Sequence, residues 1–134
     1  MTALTALLVT GLLWAIPTAP VDPVWLHDDS YVSGGKATAY VDVHCPKGQP
    51  HWTLTVHLTA VKPGRPTATG TTINAPVTCD GETQWRQHPI TVRPDQAPFF
   101  ATHDAQNTGV AELRDPSGTL VSTSTRRIHF YAWD

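Results

Sequence analysis

Between Lys36 and Val61 the chain alternates apolar and polar side chains with a period of two. In "KATAYVDVHC" the apolar positions are Ala37, Ala39, Val41, Val43 and Cys45, with Thr38, Tyr40, Asp42 and His44 between them. After "PKGQP" the alternation resumes in "HWTLTVHLTAV". Here Trp52, Leu54, Val56, Leu58 and Ala60 share one parity, and His51, Thr53, Thr55, His57 and Thr59 the other. A period of two places successive side chains on opposite faces of a strand, so both runs predict half-buried strands. A weaker strand is expected in "TATGTTINAPVTC". There Ile73, Val77 and Cys79 take the inward parity and Pro76 argues for an edge. "QWRQHPITV" predicts another, with Pro89 inside it. "VAELRDPSGTLVSTSTRRIHFYAW" reads as a closing hairpin whose "DPSG" suits a type I turn, Pro at the second position and Gly at the fourth. "VDPVWLHDDSYVSGG" breaks the apolar rhythm and is read as irregular.

Short runs spaced near ten residues, divided by Pro and Gly, predict an all-β, immunoglobulin-like antiparallel sandwich of about seven strands with one disulfide. Trp52 and Trp85 are the expected core rings. The predicted organisation is an apolar leader over residues 1–19, an irregular segment over 20–35 and the sandwich over 36–134. A chain of 134 residues supports one hydrophobic core.

No charged side chain precedes Asp22, and "ALTALLVTGLLWAI" is the length of a signal-peptide apolar segment, short of the roughly 20 residues that span a bilayer. Export to the extracellular space is therefore expected, with an uncleaved membrane anchor as the alternative. Export favours a disulfide between the two cysteines, Cys45 and Cys79. Neither cysteine lies in the short-spaced motif of a zinc site. Catalysis by one thiol would leave the other unexplained.

"KATAYVDVHCPKG", "VTCDGETQWRQHPITV" and "GVAELRDPSGTLVSTSTRRIHF" together resemble small secreted immunoglobulin-like proteins of actinomycetes, a group with no assigned biochemical function. The resemblance spans roughly residues 34 to 130. It implies the sandwich and export. Its motifs are structural and imply no catalytic residue.

Composition narrows the function. The net charge of −2 and the lack of a basic stripe argue against nucleic acid and anionic membranes as partners. Turn serines without a GxSxG elbow, scattered turn carboxylates and the lack of a phosphate loop argue against an enzyme, and no cofactor is expected. Seven histidines are an excess for this length. If the two alternating strands formed a hairpin, Cys45 would face Trp52, Val43 would face Leu54 and Val41 would face Val56. His44 and His51 would then be diagonal neighbours at roughly 7–8 Å. That pair is the candidate metal site, with a third ligand from His88 or His103. His51 and His57, roughly 20 Å apart along one strand, would not share an ion.

The expected function is that of a monomeric secreted module binding an unidentified protein or cell surface. The alternatives are a small-ligand or metal binder using the histidines of the first hairpin, and a secreted protease inhibitor exposing "PGRP" or "APFFATHD".

Overall fold

The computed structural model describes residues 22–133, so the expected leader lies outside the described residues. Eight strands follow in order: β1 (Val24–Ser33), β2 (Lys36–Val43), β3 (Thr53–Ala60), β4 (Ala68–Pro76), β5 (Arg86–Val92), β6 (Thr108–Arg114), β7 (Leu120–Arg127) and β8 (His129–Ala132). They form two four-stranded sheets, ordered β5-β2-β1-β8 and β4-β3-β6-β7. Every pairing is antiparallel except that of β1 with β8. The result is the expected all-β sandwich with an immunoglobulin-like crossing order: two strands in the first sheet, two in the second, then one back beside β2 and a return beside β3.

The alternation follows from burial. Ala37, Ala39, Val41 and Val43 of β2 and Leu54, Val56, Leu58 and Ala60 of β3 are almost fully buried, with Leu26, Leu113, Ile128 and Phe130 filling the space between sheets. Packing is tight enough that a Cβ added at Gly109 would lie 2.8 Å from Ile128 and 2.9 Å from Leu26. Glycine is required there by space. Both proline-bearing strands, β4 and β5, are edge strands, which need no complete hydrogen-bond ladder. The β6–β7 hairpin closes through "DPSG", where the Gly118 N–H donates to the Asp115 carbonyl at 2.9 Å. The Asp115 carboxylate accepts from the Ser117 hydroxyl, which, with the Ser117 and Thr119 N–H groups, holds its pKa below the ordinary carboxylate value.

Four expectations are corrected. The segment read as irregular carries β1, in which Val24, Leu26, Ser30 and Val32 point inward. Its rhythm is masked because Ser30 occupies a core position, donating its hydroxyl hydrogen to the Thr38 carbonyl at 2.7 Å, and because a bulge lies between Leu26 and Ser30. The hairpin expected from β2 and β3 does not form. β2 pairs with β1 and β5, and β3 with β4 and β6, so the two strands lie in different sheets. Residues 44–52 exceed a two-to-five-residue hairpin loop and cross between layers instead. Trp52 is a core ring, its indole N–H donating to Gln49 Oε1 at 2.8 Å, whereas Trp85 is 44% exposed. Ile73 is 69% exposed: the β3–β4 register shifts between Leu54 and Val56, so the parity taken from Val77 and Cys79 does not extend back to it.

Candidate functional site: an aromatic and histidine row on one sheet

The Cys45–Cys79 disulfide is present and ties the β2–β3 crossover to the β4–β5 crossover, with 4.9 Å between Cα atoms. Two backbone hydrogen bonds support it, Gly48 N–H to Cys79 O at 3.2 Å and Gly81 N–H to Cys45 O at 3.0 Å. It closes one end of the sandwich rather than joining the sheet centres.

His44 and His51 sit on this same crossover in different settings. His44 is buried, its backbone N–H donating to the Pro23 carbonyl at 3.0 Å and its ring meeting the exposed Trp85 edge to face at 4.3 Å. His51 is exposed with a φ of 71°. The strand ladder that would have made them diagonal neighbours is not formed. His88, offered as a third ligand, is already engaged. The Thr78 N–H donates to its Nε2 at 3.0 Å, so Nδ1 carries the hydrogen and donates to the Arg86 carbonyl at 3.0 Å. Burial is the main cause that lowers its pKa below the ordinary 6.5. His27 pairs with Asp42 at 3.0 Å, and His57 lies between Thr71 and Glu112 on the other sheet.

The segments considered for protease inhibition differ. Phe99 and Phe100 of "APFFATHD" are buried, so that stretch does not display its two large apolar rings. Arg65 of "PGRP" is exposed and lies over the Phe100 ring at 4.4 Å. Arg126 and Arg127 stand on β7, an edge strand, where charged side chains discourage edge-to-edge pairing. Arg126 covers the Trp25 ring at 3.7 Å, and Arg127 donates to the His103 carbonyl at 3.0 Å.

The outer face of the β5-β2-β1-β8 sheet carries a row of aromatic rings, of which Tyr131 and Trp133 are exposed. Tyr31 of β1 is at its centre, 6.0 Å from Tyr40 of β2, 5.7 Å from Tyr131 of β8 and 5.1 Å from Trp133. The parallel register of β1 and β8 sets Tyr31 beside Tyr131. The Trp133 N–H continues that ladder to the Val32 carbonyl at 2.8 Å, fixing an indole that is 58% exposed. Tyr31, Ser33, Thr38, Tyr40 and Trp133 line a shallow cleft of about 280 Å³. None of the five carries a charge, and each brings a hydroxyl or indole N–H. The row ends in His129 and His103, with His103 edge-on to Tyr131 at 4.9 Å.

Sequence reasoning missed this face. The signal was present in "HFYAW", where His129, Tyr131 and Trp133 share one parity and Phe130 takes the other. Recognising that Tyr31 would join them required knowing that β8 leaves the β7 hairpin and pairs with β1.

Fold and face together define a disulfide-closed β-sandwich with an aromatic outer sheet. No family model and no curated protein matches the chain. Among solved structures it is similar to the crystal structure of Spo0M, the sporulation control protein from Bacillus subtilis, at 17% identity and a TM-score of 0.35. The match covers 82% of this chain and 48% of that one, so the chain spans about half the length of the protein it matches.

Proposed function

We propose that the chain is an exported, non-enzymatic binding module, and that it engages a protein or cell-surface partner through the outer face of the β5-β2-β1-β8 sheet. The observation that carries this reading is the row of Tyr40, Tyr31, Tyr131 and Trp133, held on paired backbone with Tyr131 and Trp133 exposed and Tyr31 and Tyr40 half-buried. Tyr and Trp combine a large apolar contact with a polar tip and little rotamer entropy. They are therefore the residues that anchor interfaces. The uncharged cleft favours recognition by stacking and hydrogen bonding over ion pairing. Export is supported by the leader and by a disulfide that an oxidising compartment preserves. Among the described residues no helix is long and apolar enough to cross a membrane.

The test is retention on envelope preparations of the producing cells, measured by co-sedimentation of the purified oxidised protein. The unaltered chain is expected to sediment with the envelope. Trp133→Ala and Tyr31→Ala should weaken retention at least tenfold, and the opposite-face variant His57→Gln should not. Equal retention of all four would sink the assignment of this face.

A further inference from the structure

We propose that His103 and His129 together form a site for a borderline divalent transition-metal cation of the zinc(II) or copper(II) class. The Nδ1 atoms of the two rings face one another at 3.2 Å.

The backbone explains why they meet. Thr102 and Phe130 form an antiparallel bridge outside the main ladders, exchanging both hydrogen bonds at 3.0 Å. The next opposed pair along that bridge is His103 with His129. A pair adjacent to a doubly bonded one has no hydrogen bonds of its own, and there opposed side chains approach most closely. Both flanks are anchored. The Thr102 hydroxyl donates to the Val61 carbonyl at 2.7 Å, and Asn107 Nδ2 donates to the Thr102 carbonyl at 3.0 Å. Arg127 holds the His103 carbonyl, while Tyr131 packs against the His103 ring. The imidazoles are thus brought together by the fold rather than by an association of loose side chains.

The spacing fits a metal. Two nitrogens each about 2.0–2.1 Å from one zinc ion subtend roughly 100° when 3.2 Å apart, close to tetrahedral. At that distance the Nδ1–H of one ring donates to Nδ1 of the other. To bind a cation the donating ring takes its Nε2–H tautomer, so that both Nδ1 lone pairs face the ion and no net proton is released. Imidazole is a ligand type suited to zinc and copper rather than to calcium or magnesium. Among the described residues no set of three or more His, Cys, Asp or Glu converges. Water, or a donor from a bound molecule, would therefore fill the other positions.

The experiment is a calorimetric titration of the full oxidised chain with zinc chloride, repeated with copper sulfate, and followed by NMR of the histidine ring nitrogens. One equivalent is expected to bind, with the His103 and His129 Nδ1 signals shifting first. Either His103→Gln or His129→Gln should lower the affinity at least tenfold. His51→Gln and His57→Gln should leave it unchanged. Near-ultraviolet circular dichroism checks that each variant is folded, and His129→Asn serves if His129→Gln is not. No binding up to roughly 1 mM metal, undiminished binding by folded His103→Gln or folded His129→Gln, or first shifts at other histidines would overturn the proposal.

Discussion

Burial lowers the His88 imidazole below its ordinary pKa of 6.5, with Arg86 opposing its charge and Asp80 favouring it. The neutral ring is the one the fold needs, because Nε2 must accept from Thr78 while Nδ1–H donates to Arg86. A depressed folded-state pKa means that the unfolded chain binds the proton more readily. The stabilisation is complete above about pH 6.5 and is lost as pH falls through the lowered folded value. Urea midpoints should therefore decline between pH 7 and 5, and His88→Leu should flatten that decline. At pH 7.5 the same variant should cost about 1–2 kcal/mol, through the acceptor lost by Thr78. Composition showed that histidines are numerous, but not that their surroundings differ. His88 caps a crossover, His44 sits under Trp85, and His103 meets His129. Those differences depend on distant chain segments, which periodicity does not register.

Among the elements, the two crossovers joined by Cys45 and Cys79 are held by one covalent bond and a few hydrogen bonds. Replacing both cysteines with alanine should lower unfolding free energy by about 3–4 kcal/mol in urea denaturation under non-reducing conditions. That is a sizeable share of the 5–15 kcal/mol typical of a domain. At the opposite side of the molecule, fully buried Asn107 accepts from the Val61 N–H at 2.8 Å and donates to Thr102. Asn107→Ala should cost about 2 kcal/mol or more and should broaden the His103 and His129 resonances, since the bridge beside them loses its brace. Strands β2 and β3 were legible because each buries one face fully, and hence every second side chain is apolar. Strand β1 was not, because Ser30 and the bulge interrupt its apolar side. Trp85 was misassigned because a large ring at a plausible parity reads as core, although it lies before β5 begins and covers His44 from outside.

The whole molecule is closed by a chain that changes sheets at its end. Strand β7 pairs with β6 in one sheet, and after Ile128 the chain enters the other as β8, parallel to β1. That step inserts Ile128 and Phe130, both with no exposed surface, and stacks Phe130 on Phe99 at 5.9 Å. Truncation after Arg127 should therefore abolish the cooperative thermal transition, since losing even one such ring costs about 3–5 kcal/mol. It would also remove Tyr131 and Trp133 from the aromatic row and His129 from its pair. The sequence alone determined that the chain is all-β, which faces of its regular strands turn inward and that two cysteines are available to bridge. Those properties are local: side-chain alternation, turn chemistry and composition are written within a few residues. The tertiary structure decided which strands are neighbours, and so which outward side chains meet. Alternation specifies a face but not a partner. The aromatic row and the facing imidazoles arise where segments about a hundred and about twenty-six residues apart are brought into register.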